Sequence, residues 1–469
     1  MFVDYNFSIE FAKQSLYDAV IENLNVGNKM SEIKVRFAPS PTGFMHIGNT
    51  RTALFNWLLA KKLGGKFMLR IDDTDFARSK KEYEDAMRES LKWLGFDWCE
   101  EARQSARFAR YDAMRDKLIA EGRIYPCYDT PEELQIKRKR AMAKGEAPIY
   151  DRQALRYTPE DIAKFEAEGR KPHYRFKLLP GIIEWEDIVR GHCQYEAEKL
   201  SDPIIIREDG SYLYHFPSCI DDSDFGITHI VRGEDHVTNT AAQIQMFEAI
   251  GGKVPTFAHL PLLTGVEGKL SKRLGSLGVR ELKAEGVEAL AICSFLAKLG
   301  TSDAIEPYYS LDELAASLDF AKLGRSQPKF DEEELKHFNT KFVRGLPYAA
   351  VKDRVDVSEE FWNEVRPNLN VVDDIKIWAD ICHREVTPII EDKTLTDLAA
   401  SLLPPEPWNG DTFNAWLNAV KQQSGKKGKE LFHPIRKALT ALDNGPELKT
   451  LLPLIGYDKA LKRLKGQKA

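Results

Sequence analysis

Two short groups of residues have types and spacing that could do chemistry. The first ends the string Arg36-Phe-Ala-Pro-Ser40-Pro-Thr-Gly43-Phe-Met-His46-Ile-Gly48-Asn49; the second is Lys269-Leu-Ser271-Lys272-Arg273, with His46 and Lys269 223 residues apart. A loop that leaves a strand and opens a helix turns backbone N–H groups and the positive end of a dipole toward one point, which makes an anion site. Gly43 and Gly48 would let backbone and ligand approach closely, and His46 offers a donor to a phosphate or ribose. His-x-Gly by itself is a weak signal, since a single histidine is more often structural. The surrounding Pro-Ser-Pro-Thr-Gly is far rarer. The lysine group reads either as a solvated basic turn after Gly265 and Gly268 or as a mobile loop. Such a loop would stabilise charge on an α-phosphate as a carboxylate attacks and pyrophosphate leaves, at roughly 3 kcal/mol per donor. Magnesium would share the pyrophosphate charge. Together the two groups can hold a nucleoside triphosphate from both sides.

The elements needed to position them are legible. Lys34–Ala38 reads as a buried strand, and residues 39–45 as its loop. A helix follows from Ile47 through Ala53, Leu54, Trp57 and Leu58, stopping at Gly64-Gly65. Lys66–Ile71 is a second strand, ending in Asp72-Asp-Thr-Asp75. Ser79-Lys-Lys-Glu82 has the form of a capping box, ahead of helical spacing at Tyr83, Met87, Ser90, Leu91 and Leu94, with Gly95 closing. Strand–helix–strand–helix predicts a parallel α/β sheet. From about 112 to 208 that order breaks into mixed pieces with a basic run at Lys137–Arg140. It resumes with a strand over 227–232 and a helix over 240–250, capped by Gly251-Gly252. Beyond 335 strand signals are few and amphipathic segments many.

The chain has 469 residues, 43% of them hydrophobic, enough for about three domains. A net charge of −5 argues against a uniformly basic nucleic-acid-binding surface, so a polyanion would be met by local basic patches. No run of about 18 apolar residues predicts a membrane span. Six cysteines without a Cys-x-x-Cys fit a reduced, cytoplasmic protein. Residues 1–31 read as an N-terminal extension, or as a start taken too early with Met30 as the alternative. They lack the arginines of a transit peptide and the apolar stretch of a secretory signal.

The two groups resemble the HIGH and KMSKS signatures of class I aminoacyl-tRNA synthetases. The fuller strings, with Arg70-Ile-Asp-Asp-Thr-Asp75 and Val231-Arg-Gly-Glu-Asp-His236, resemble glutamyl-tRNA synthetases of bacterial type from about residue 33 onward. The resemblance implies an α/β fold with a Rossmann-like catalytic domain (32–111 and 209–259) and an inserted α+β domain for the tRNA acceptor end (112–208). It also implies a stem-contact region carrying the lysine loop (260–335) and an all-α anticodon-binding domain (336–469). The implied reaction joins L-glutamate to tRNA(Glu) through glutamyl-adenylate, consuming ATP with Mg2+ and releasing AMP and pyrophosphate. His46 and Lys272 would assist adenylate formation. Gly48, Asn49, Asp235, Lys269 and Ser271 would join them around ATP. Arg36, Ser40, Asp72, Tyr214, Ser218 and Arg232 would hold glutamate, with Arg232 on the γ-carboxylate. Arginine suits a carboxylate bidentately, and a glutamine amide would leave it buried and uncompensated.

Three departures accompany the resemblance. Asp72 stands where the family has glutamate, one methylene short of the residue expected to hold the α-amino group; a water bridge could span the difference. Ser218 stands where relatives carry asparagine or a small apolar residue. Only Cys99 and Cys127 lie near the zinc position of some relatives, and two ligands do not make a tetrahedral site, so no zinc is expected. Among basic residues, Lys137–Arg140 reads more readily as a solvated helix face than as phosphate contacts. Arg436 and Lys437, with Lys426-Lys-Gly-Lys429, are the candidates for tRNA contact in the helical domain. A monomer is expected. The alternatives are a relaxed or specialised enzyme placing glutamate on tRNA(Gln), a shorter base-modifying paralogue, an inactive tRNA-binding protein, and a small nucleotidyltransferase. Residues 336–469 argue against the shorter paralogue and the small nucleotidyltransferase. Intact His46, Lys272 and Arg232 argue against an inactive protein.

Overall fold

Val35 and Phe37 are buried in β1 (Lys34–Phe37). The computed structural model, which describes residues 32–265 and 277–469, builds outward from this strand. β1 leads into α1 (Ile47–Lys62), whose buried residues run all round its surface, so it is a core helix. Gly64, at φ +61°, and Gly65, where a Cβ would lie 2.5 Å from the Ile33 carbonyl oxygen, turn the chain into the next strand. There follow β2 (Lys66–Ile71), α2 (Lys81–Trp93), β3 (Glu100–Arg103), α3 (Phe108–Ala120), β4 (Ile124–Cys127), α4 (Pro131–Ala143) and α5 (Pro159–Ala167). Next come β5 (His173–Phe176), β6 (Ile182–Asp187), β7 (Gly191–Glu196), β8 (Ile204–Ile206), α6 (His215–Asp224), β9 (His229–Gly233), α7 (Val237–Ile250) and β10 (Thr256–Leu260).

The main sheet has seven strands in the order β3-β2-β1-β9-β10-β6-β7. All its pairings are parallel except β6 with β7. Strand order reverses between β1 and β9, where an open α/β sheet leaves a crevice at the carboxyl ends of its strands. A cluster containing Met68, Tyr111, Phe176, Phe216, Phe247 and Phe257 forms the apolar core beside it. β4, β5 and β8 make a separate antiparallel sheet. β6 and β7 belong to the main sheet, although their residues fall in the stretch 112–208 expected to be an insertion. Phe257 of β10 pairs with Asp187 of β6, so the hairpin extends the parallel sheet at its edge.

The capping box expected at Ser79–Glu82 does not form. Asp75 closes a turn by accepting from the backbone N–H groups of Arg78 and Ser79, which leaves Ser79 ahead of the helix. Lys80 is the N-cap, without a side-chain bond, and the Ser79 hydroxyl is buried without a partner among the described residues. Capping boxes occur instead at Thr130–Glu133 and Thr158–Asp161.

The described chain divides into two compact units. One holds everything described up to Leu282 together with Cys293–Asp331; the other holds Lys283–Ile292 and Glu332–Ala469. From Glu332 onward the second unit is helical, from Glu332–Gly345 to Tyr457–Leu464, around buried Trp362, Leu431, Ile435, Leu452 and Leu464.

Candidate active site

A cleft of about 360 Å³ opens where β1 and β9 end. Of the residues expected to bind substrates, Arg36, His46, Gly48, Asn49, Asp72, Tyr214, Ser218, Arg232 and Asp235 all line it. Ser40 does not line it: it is exposed on the loop, and its carbonyl accepts from the Thr42 N–H. Lys269, Ser271 and Lys272 lie outside the described residues.

His46 is the N-cap of α1, and its Nδ1 accepts from the backbone N–H groups of Gly48 (3.2 Å) and Asn49 (3.3 Å). Two consequences follow. The first N–H groups of the helix are not free for an anion as expected, because the imidazole takes them and Ile47 N–H bonds the Leu277 carbonyl. Nδ1 must also be unprotonated, so the ring proton sits on Nε2 as the free donor. The enclosing protein lowers the pKa of His46, consistent with a neutral ring. At Gly48 a Cβ would press on this ring at 3.2 Å, whereas the space beside Gly43 is open.

The floor of the cleft is a charge network that the motifs only partly announced. Arg70, buried on β2, donates to both oxygens of Asp72 (2.7 and 3.1 Å) and to Asp222 on α6 (2.5 Å). Arg36 donates to the same Asp222 oxygen at 3.1 Å. Burial opposes ionisation of Asp222, but Arg36 and Arg70 outweigh it and hold its carboxyl below the usual range. For Asp72, burial prevails and pushes the carboxyl up to about 6 against the pull of Arg70. The Ser218 hydroxyl is 3.4 Å from Arg70 Nη2. The other acids of that string serve the scaffold. Asp73 accepts from Arg103 and Ser105, and Asp75 from Arg78. Arg70 was within reach of sequence reasoning, because an arginine in a buried strand requires acidic partners, and Asp221-Asp222 supply them.

Arg232 differs. It is buried near the end of β9 and has no carboxylate within ion-pair distance among the described residues. Its Nε donates to His259 Nε2 (3.2 Å) and its Nη2 to the Thr240 hydroxyl (2.6 Å). Burial lowers its pKa. Tyr214 bonds His236 Nδ1 through its hydroxyl at 2.8 Å. Arg51 was not foreseen at all: buried on α1, it bonds the carbonyls of Pro261 (2.7 Å) and Leu299 (2.9 Å) and so fixes the segment that closes one wall.

Elsewhere, no group of three or more His, Cys, Asp or Glu among the described residues is placed to hold a metal ion. Cys127 is buried against Asp129 and Tyr150, and Cys99 is exposed. No helix among the described residues is long and apolar enough to cross a membrane. Lys137 is paired with Asp129 (2.9 Å) and Asp151 (3.2 Å), while Arg138, Lys139 and Arg140 are exposed. Lys437 bonds Glu391 (2.8 Å) and Asp443 (2.9 Å); Arg436 beside it is half-buried.

A parallel sheet with a cleft at its strand-order reversal, entered by a histidine-capped helix, has the form of a Rossmann-like catalytic domain. The family described as tRNA synthetases class I (E and Q), catalytic domain, matches residues 32–337, and an anticodon binding domain matches residues 308–467. The chain belongs to this family of class I tRNA synthetases. It is 52% identical to glutamate–tRNA ligase 1 of Maricaulis maris, over 93% of this chain and 100% of that one. It is 51% identical to the glutamate–tRNA ligase of Azospirillum brasilense, over 93% and 100%. Among solved structures, a glutamate tRNA ligase from Elizabethkingia meningosepticum in complex with its amino acid superposes with a TM-score of 0.77 at 28% identity, covering 92% of this chain and 98% of that one.

Proposed function

We infer that the chain is a ligase that attaches L-glutamate to tRNA(Glu) at the cost of ATP. The observation that carries this reading is Arg232: a buried cation without a carboxylate partner among the described residues, facing the same cleft as His46. Such a group is stabilised by a ligand that brings its own negative charge. The γ-carboxylate of glutamate is that charge, and Arg36 adds a second cation beside it. Asp72 receives the α-ammonium group; its reach is shortened by one methylene and its direction fixed by Arg70. Tyr214 and Ser218 complete the amino-acid side. The α-carboxylate then attacks the α-phosphate of ATP, pyrophosphate leaves, and a ribose hydroxyl of the terminal tRNA adenosine displaces AMP. His46 Nε2–H, Gly48, Asn49 and Asp235 face the nucleotide, and Lys269, Ser271 and Lys272 act from the second motif. Magnesium would accompany the phosphates of ATP and share the pyrophosphate charge.

By the same reading, the stretch within 112–208 receives the acceptor end and the helical residues 336–469 read the anticodon, with Arg436 and Lys437 contributing to tRNA contact. The enzyme works as a cytoplasmic monomer. The direct experiment is glutamylation of purified tRNA(Glu) and tRNA(Gln) by the wild-type chain and by Lys272→Ala. Charging of tRNA(Glu) is expected, reduced roughly 10²-fold by the substitution. Charging of tRNA(Gln) alone would select the specialised alternative, and full activity of the variant would remove Lys272 from the reaction.

The pH dependence follows from Asp72. As the pH is lowered through about 6 its carboxyl takes up a proton and can no longer pair with an ammonium group. KM for glutamate is therefore expected to rise on the acid side while KM for ATP holds. A flat glutamate KM across that range would detach Asp72 from the amino group.

A further inference from the structure

Asp187, His259 and Arg232 lie side by side across three neighbouring strands. Arg232 of β9 is in direct register with His259 of β10, and β10 pairs in turn with β6, which ends in Asp187. The His259 and Asp187 side chains are both fully enclosed. His259 Nδ1 is 2.5 Å from Asp187 Oδ2, and its Nε2 lies 3.2 Å from Arg232 Nε. An arginine Nε always donates, so His259 Nε2 must carry a lone pair and its proton must sit on Nδ1, facing Asp187. The partners thus assign one neutral tautomer.

We propose that Asp187 and His259 are positioning residues that aim the Arg232 guanidinium while leaving its charge uncompensated, and that this arrangement sets the preference for an acidic over an amide side chain in the substrate. The proposal rests on the reading of Arg232 as the partner of the γ-carboxylate. The contrast is within the same cleft. Arg70 meets Asp72 directly and bidentately, so its charge is already matched. At Arg232 an imidazole stands between cation and carboxylate. Nε is held by His259 and one side of Nη2 by Thr240. Nη1 makes no hydrogen bond to a described residue and is left for the ligand. A carboxylate in direct contact would satisfy the arginine and abolish its demand for an anion; an apolar neighbour would leave its direction free. A neutral imidazole, locked by a distant aspartate, avoids both.

The aspartate is itself held so that its proton bookkeeping is testable. Asp187 Oδ1 accepts from the backbone N–H groups of Val189 (3.0 Å), Arg190 (2.9 Å) and His259 (3.2 Å). In Asp187→Asn those three donors keep the amide oxygen in place, so the amide nitrogen faces His259 Nδ1. The imidazole must then accept at Nδ1 and carry its proton on Nε2, which lies 2.9 Å from the Thr240 hydroxyl and 3.2 Å from Arg232 Nε, so Arg232 Nε loses its acceptor. The variant is isosteric but reverses the tautomer, the logic by which an aspartate orients a catalytic histidine.

The test is steady-state glutamylation by the full chain, reading KM for glutamate, KM for ATP and kcat separately, with melting temperature alongside. Asp187→Asn should raise KM for glutamate about tenfold or more, the loss expected when a hydrogen bond to a charged group is broken, with KM for ATP and Tm nearly unchanged. His259→Asn, which can reach Asp187 but not Arg232, should show the same selective loss. His259→Gln, whose carbonyl can accept from Arg232, should recover most of it. Equal changes in both KM values, or His259→Gln as impaired as His259→Asn, would overturn the proposal; so would an unchanged glutamate KM in Asp187→Asn. Arg232→Gln is the control for the underlying reading. If it leaves glutamate KM unchanged, the substrate assignment fails; if it raises KM while Asp187→Asn does not, only the positioning role fails.

Discussion

Arg232→Gln is expected to lower kcat/KM for glutamate by ~10²–10³-fold, the loss that follows when one partner of a buried ion pair is removed. The effect should fall on glutamate, with KM for ATP little changed. Stability should move the other way. Arg232 is a buried cation with no carboxylate partner among the described residues, and burial already lowers its pKa. A neutral amide of similar length can still bond Thr240 and His259, so Tm should stay level or rise. A site residue whose loss stabilises the fold but removes substrate binding is the signature of strain held for function. A fall in Tm with intact glutamate KM would mean that Arg232 is structural.

The second large effect is expected at His46, where capping and chemistry are separable. Asparagine is a good N-cap, so His46→Asn can keep bonds to the Gly48 and Asn49 N–H groups while losing the Nε2 donor. The rate of adenylate formation should fall by ~10²–10³-fold, the scale of removing one preorganised donor, with thermal stability preserved. His46→Ala should lose the same activity and about 1 kcal/mol of stability besides, through the missing cap. If asparagine restored activity as well as stability, the imidazole would be a cap alone.

The catalytic scaffold was legible where local pattern and tertiary need agree. β1, α1 and β2 appear within a residue or two of expectation, because their apolar runs are clear and Gly64-Gly65 make the turn between α1 and β2. The end of α7 was placed as expected, closed by Gly251 at φ +80°, while its start lies three residues earlier, at Val237. The hairpin of β6 and β7 was not placed. Its alternation in burial, from Ile182 to Asp187, marks a strand with one face toward solvent, but nothing local says which sheet receives it. Ser79 followed by Glu82 satisfied a capping pattern that the neighbouring Asp75 turn overrode. The site divides in the same way. Residues inside rare strings, from Arg36 to Asp235, converge on the cleft, but Ser40 does not. Asp222, Arg51, His259 and Asp187 were missed because each matters through contacts to residues at least 27 positions away. Only Arg70 carried a usable hint, a charge within a buried strand.

The central claim is that an uncompensated arginine makes this cleft select glutamate. The resemblance to glutamyl-tRNA synthetases implies that the amino acid is activated only with tRNA bound. The deciding measurement is therefore ATP–pyrophosphate exchange in the presence of tRNA(Glu), with glutamate or glutamine as the only amino acid. Glutamate should support exchange and glutamine should not, by a margin of at least ~10²-fold in kcat/KM, since the amide leaves Arg232 buried and unpaired. Exchange with glutamine at a comparable kcat/KM would contradict the account.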